Sequence, residues 1–150
     1  MIHVRLQPEP FDAGVELTRL DALGGGGVAS FTGIVRGDGG LTELMLEHHP
    51  RMTLAMMQQL AEDAAARWDL LGVTIIHRHG ALAPGAGIVL VATAARHRGA
   101  ALDACASLID RLKTQAPFWK RETFADGRQA WVEPRAGDDE AAARWLRGDG

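Results

Sequence analysis

Two lysines, Lys113 and Lys120, stand seven residues apart around the segment Thr-Gln-Ala-Pro-Phe-Trp. On a 3.6-residue wheel Lys113 shares a row with Leu102, Ala106 and Ile109, bordering the apolar stripe of a helix rather than its polar face. A lysine in that row either snorkels outward or points into a cleft. Lys120 follows on a strand, between Trp119 and Arg121, and Pro117 fixes the turn between helix and strand. The two ammonium groups therefore converge if the strand packs on the helix. Burial disfavours the charged form of a lysine, and a second cation nearby disfavours it further. Such a pair offers one amine as base or nucleophile and the other as an anion ligand. Spacing alone fits two solvated surface lysines as well, and at this point both readings stand.

Arg96-His97-Arg98 lies where a strand ends and a helix begins. Unbonded N–H groups and the helix dipole favour anions there, and guanidinium groups add bidentate phosphate contacts. His97 suits a general acid or base in that setting; a solvated polar helix start is the other reading. Arg36, after the run Phe31-Thr32-Gly33-Ile34-Val35 and before a glycine loop, is a third cationic candidate. Cys105 sits on the apolar stripe of its helix, which suggests packing rather than persulfide chemistry. His77 and His79 share a predicted strand face and His48-His49 precede a helix, but no carboxylate or cysteine completes a metal-ligand spacing, so no metal is expected. The run Gly24 to Gly27 lacks the spacing of a phosphate loop and reads as a turn.

The elements that must position these residues follow from periodicity. Ile2, Val4 and Leu6 alternate with polar residues as in a half-buried strand. A short helix opens at Asp12, its predicted N-cap, with Val15, Leu17, Leu20 and Leu23 as its apolar face. Val28 to Val35 and Thr42 to His48 read as strands around a flexible loop at Gly37 to Gly40, with Leu44 and Leu46 on one face of the second. Pro50 opens the longest helix, where its missing N–H costs nothing. Met52, Met56, Leu60, Ala64 and Trp68 are its expected buried row. Val73 to His79 and Ile88 to Ala95 are strands joined through Pro84-Gly85. A helix over Gly99 to Gln115 buries Ala101, Cys105, Leu108 and Leu112 and turns Asp103, Ser107, Asp110 and Thr114 to water. Phe118 to Phe124 and Gln129 to Glu133 form a hairpin around Asp126-Gly127, and about 137–150 is a tail or short helix. The irregular alternation with a clear hairpin predicts a single α+β domain over 1–150.

Composition narrows the partners. The 150 residues carry a net charge of −3 and a pI near 6.0, without the basic excess of a nucleic-acid binder. With 47% hydrophobic and 23% charged residues the chain is long enough to bury roughly two-thirds of its unfolded surface. One cysteine, no signal-peptide pattern and no stretch of membrane-span length make the cytoplasm the expected compartment.

The segments R-G-A-A-L-D-A-C and L-I-D-R-L-K-T-Q-A-P-F-W-K-R-E closely resemble the signature of the molybdopterin synthase catalytic (large) subunit family. So do F-T-G-I-V-R from Phe31, L-E-H-H-P-R-M from Leu46 and H-R-H-G from His77, and the resemblance runs from Ile2 to about Glu133. The loop at Asp38-Gly39-Gly40 departs from the family's usual, somewhat longer polar loop. The resemblance implies an α/β hammerhead-type domain with an additional antiparallel β subdomain. It implies a sulfurtransferase of molybdenum cofactor biosynthesis, with no bound cofactor of its own. The substrate would be cyclic pyranopterin monophosphate, and the sulfur would come from the C-terminal Gly-Gly thiocarboxylate of a small ubiquitin-like carrier subunit. Lys113 and Lys120 would be catalytic; Phe31, Arg36, His97 and Arg98 would line the substrate pocket, the last three as phosphate ligands. A homodimer within a heterotetramer would complete each site with part of the neighbouring subunit. Two other readings remain at this point: a non-catalytic scaffold for a ubiquitin-like tail, which should tolerate loss of both lysines, and a histidine-based metallohydrolase, which should carry stoichiometric zinc.

Overall fold

The apolar alternation at the N-terminus becomes β1 (Ile2–Gln7), the edge of a four-stranded sheet in a computed structural model that describes residues 1–132 and 136–146. That sheet runs β1–β4–β6–β2, with β4 at Gly72–Arg78, β6 at Gly87–Ala95 and β2 at Gly27–Ile34. β1 is parallel to β4, and the remaining pairs are antiparallel. On one face lie α2 (Pro50–Trp68) and α3 (Arg98–Gln115), which enclose Val73, Ile75 and Val91 with Met57, Leu60, Ala61, Cys105 and Leu108. On the other lies α1 (Ala13–Asp21), whose Leu20 packs on Ala92 and Ala94. Cover on both faces explains why β4 and β6 read as near-continuous apolar runs.

A second, wholly antiparallel sheet runs β5–β3–β7–β8, with β5 at Gly80–Leu82, β3 at Leu41–His48, β7 at Phe118–Phe124 and β8 at Gln129–Trp131. Its core is Leu41, Leu44, Leu46 and Leu82, closed by Val35 just after β2 and by Ile88 of β6. An α+β architecture with an added antiparallel sheet is what the sequence led us to expect. α4 (Ala136–Leu146) packs its buried Trp145 edge-on against Trp68, ring centroids 5.7 Å apart, and donates from the indole nitrogen to Asp110 at 2.8 Å.

Local expectations hold at the caps. Asp12 accepts from the Val15 amide, and Pro50 opens α2 behind His49, whose Nδ1 accepts from the Met52 amide. The glycine run is a close approach, because a Cβ on Gly25 would lie 2.4 Å from the Ala95 carbonyl oxygen. Several faces differ from expectation. In α2 the buried residues are Thr53, Met57, Leu60, Ala61 and Ala64, while Met52 is 60% exposed. A row spaced by four residues rotates about 40° per step around a 3.6-residue helix, so only its middle faced the core. In α1 Val15 is exposed and Glu16 is buried, held by Arg5 at 2.5 Å. Ser107, expected in water, is buried on α3. The expected hairpin partner Glu133 and the last residues of the tail lie outside the described residues. β5 was missed because three residues are too short for a periodic signal.

Candidate functional site

α3 ends at Gln115 and β7 begins at Phe118, so the chain reverses within Ala116-Pro117. The turn is held from a third element. The buried Thr53 hydroxyl of α2 donates to the Pro117 carbonyl at 2.8 Å and accepts from the His49 amide at 3.0 Å. Lys113 in the last turn of α3 and Lys120 on β7 thereby line one cavity of about 560 Å³. Lys113 is exposed. Lys120 is half-buried, so the burial argued for both lysines applies to Lys120.

Phe31 and Arg36 line the same cavity. Phe31 pairs with Val91 across β2 and β6 and is 39% exposed, which leaves an aromatic face open at the rim. Arg36 follows β2 and is held by Asp38, with Nε donating at 2.8 Å and Nη2 at 2.7 Å. Both partners are largely exposed, and such pairs contribute roughly 0–1 kcal/mol, little enough for an incoming phosphate to displace. The cavity thus gathers four of the six residues singled out from sequence.

His97 and Arg98 are not among its lining residues. They sit exposed at the far end of β6, His97 as the N-cap of α3 without a side-chain capping bond. Two residues join the cavity that the sequence reading had not placed there: Glu122 was not singled out, and His77 was weighed only as a metal ligand. Glu122 shares the inward face of β7 with Phe118 and Lys120, as the period of two requires, and lines the cavity. His77 also lines it, stacked on Phe118 with ring centroids 3.8 Å apart. One compositional signal was available: Lys113 and Lys120 are the only lysines in the chain, beside fourteen arginines.

The histidines do not take the arrangement expected of them. β4 stops at Arg78, so His77 and His79 do not share a strand face; His79 instead contacts His48, ring centroids 4.1 Å apart. Burial, then His79 and His49, holds the His48 imidazole below its usual range. Among the described residues no group of three or more His, Cys, Asp or Glu side chains is placed to hold a metal ion. Burial pushes the Cys105 thiol up to about 11, and its Sγ lies 3.8 Å from the Val91 carbonyl oxygen, the setting of a packing residue. No helix among the described residues is long and apolar enough to cross a membrane.

The family model described as MoaE protein matches residues 6–115. A molybdopterin synthase catalytic subunit from Pseudomonas aeruginosa is 47% identical over 147 residues, covering 95% of this chain and 97% of the relative. An alignment of that coverage cannot stop short of Lys120. Among solved structures, a molybdopterin biosynthesis MoaE protein from Burkholderia ambifaria aligns with a TM-score of 0.83 and 42% identity over 97% of this chain and 99% of the other. A molybdopterin synthase from Staphylococcus aureus aligns with a TM-score of 0.76 and 28% identity over 85% and 95%. Sequence signature, two-sheet fold and near full-length relatives agree, and the chain belongs to the MoaE protein family.

Proposed function

We propose that the chain is the catalytic subunit of a cytoplasmic molybdopterin synthase, a sulfurtransferase that converts cyclic pyranopterin monophosphate to molybdopterin. Sulfur comes from the C-terminal thiocarboxylate of a small ubiquitin-like carrier subunit. The relatives' activity supports the reaction, and their designation as one subunit supports a partner chain. The observation that carries the site assignment is the convergence of the chain's two lysines on one cavity with Phe31 and Arg36. Arg36 exchanges Asp38 for the substrate phosphate. Lys113 positions the thiocarboxylate and stabilises its acyl carbon while the bond to sulfur breaks and water adds, so that the carrier leaves as a carboxylate. Lys120 moves protons as the cyclic phosphate opens and sulfur adds. His97 and Arg98, remote from this cavity within one chain, reach the site of a second copy in a homodimer, with carrier chains completing a heterotetramer.

The test is reconstitution with a thiocarboxylated carrier and the cyclic pterin, assayed for dithiolene product. Wild-type protein should form it, and Lys113→Ala and Lys120→Ala should each slow it by about 10²–10⁴-fold, the usual weight of a positioned acid–base group. No product with a competent carrier would defeat the assignment. Full activity in the double variant would remove both lysines from the mechanism, and carrier binding without product in the wild-type protein would leave a carrier-binding scaffold.

A further inference from the structure

His77 forms part of the cavity wall, yet nothing in the chemistry above uses it. Its ring is 7% exposed and lies nearly flat on Phe118, the planes 18° apart. Its Nδ1 is 2.7 Å from the Arg78 carbonyl oxygen. A carbonyl only accepts, so Nδ1 carries the proton in that bond. In a neutral ring Nε2 is then a lone pair whose direction is fixed, because rotation would break both the stack and the bond. Burial enforces neutrality. Desolvation outweighs the carbonyl bond and, with Lys120, His79 and His48 nearby, pushes the imidazole down to about 4.

Lys120 follows Phe118 on the same inward face of β7, about 7 Å further along the strand. A four-carbon stem spans that distance, and the charge of Lys120 reaches the His77 ring. The titratable groups around His77 are Lys120 and Glu122 on β7, and His48 and His79, which lie against each other. The Arg78 guanidinium is committed to the Pro8 and Gly87 carbonyls.

We propose that His77 is a positioning residue for Lys120, its fixed Nε2 accepting a hydrogen bond from the Lys120 amine and holding that amine against the cavity wall. The proposal rests on Lys120 acting in the reaction as described above. A neutral acceptor favours the ammonium form without adding a negative charge that would repel a phosphorylated substrate. A carboxylate at position 77 would bring both effects together.

With only two lysines in the chain, labelling with [13Cε]lysine gives two side-chain signals, assigned with Lys113→Arg and Lys120→Arg. His77→Phe keeps the stack and removes both nitrogens. The Lys120 titration midpoint should then fall by about one unit, the effect of losing a hydrogen bond to the charged form. In the reconstituted assay kcat should fall about tenfold with KM little changed, and His77→Gln, which restores an acceptor, should recover most of both. A folded His77→Phe protein with an unmoved Lys120 titration overturns the proposal. A second measurement uses the native ring: in [15N]histidine-labelled protein the His77 Nε2 resonance should shift when Lys120 is replaced by Met, and an unmoved resonance likewise overturns it. Full activity in Lys120→Ala would instead defeat the role given to Lys120 itself, a different failure.

Discussion

At the scale of single residues, burial decides which titratable groups are available. Cys105 is 5% exposed, and its thiol is pushed up to about 11, so little thiolate exists near neutral pH. Iodoacetamide should leave it unmodified in the native protein and react once the chain unfolds. Cys105→Ala should keep full sulfur-transfer activity while costing about 1 kcal/mol of stability, as read by urea unfolding. His77 sets a pH dependence of the opposite kind. Unfolding returns its imidazole from about 4 to the ordinary value of 6.5. Between those values the unfolded chain binds a proton that the folded chain refuses. The contribution is therefore complete above pH 6.5 and is lost as pH falls toward 4, up to about 3 kcal/mol. Urea unfolding at pH 7.5 and pH 4.5 should show this loss, and His77→Phe should flatten it. A residual slope should remain from His3 and His48, whose imidazoles burial also depresses.

At the scale of elements, the geometry of the lysine pair is set by one turn and its anchor. Seven residues separate the amines because α3 needs its last turn, Pro117 needs the reversal, and β7 needs two residues to return its side chain to the inward face. Thr53 ties that turn to α2 through two hydrogen bonds. Thr53→Val keeps the shape and removes both, leaving the Pro117 carbonyl and the His49 amide without these partners. We expect a loss of about 1–3 kcal/mol in chemical denaturation. We also expect a drop in sulfur-transfer rate larger than the modest loss of folded protein explains, because Lys113 and Lys120 flank the loosened turn. Helix existence and caps were readable from sequence, since Asp12 and Pro50 act within a single turn. The buried face of α2 was not. Met52 and Met56 are apolar but lie outside the arc that meets the sheet, and only the packing partner defines that arc.

At the scale of the molecule, the cavity lies where the two sheets meet, and no single sheet contains it. β2 contributes Phe31, the segment after it Arg36, α3 Lys113, β4 His77, and β7 Lys120 with Glu122. His97 and Arg98, at the opposite end of β6, belong to the proposed site only through a second copy. Mixing is the measurement for that arrangement. Lys120→Ala and Arg98→Ala proteins should each be nearly inactive. Dimers re-formed from an equal mixture should regain about a quarter of wild-type activity, since half of random dimers are mixed and each mixed dimer has one intact site. No recovery after verified subunit exchange would put Lys120 and Arg98 in the site of one chain, and a fully active Arg98→Ala protein would exclude Arg98 from the site.

The sequence by itself determined the family, the α+β class, most elements and the lysine pair, because signatures, caps and periodicities are local properties of the chain. Tertiary structure decided which face of each helix is buried, that Ser107 and Glu16 leave solvent, and that His77 and Glu122 join Lys113 and Lys120 while His97 and Arg98 do not. Those outcomes depend on contacts between segments far apart in sequence, and a side chain's environment is a property of what packs against it rather than of its neighbours along the chain.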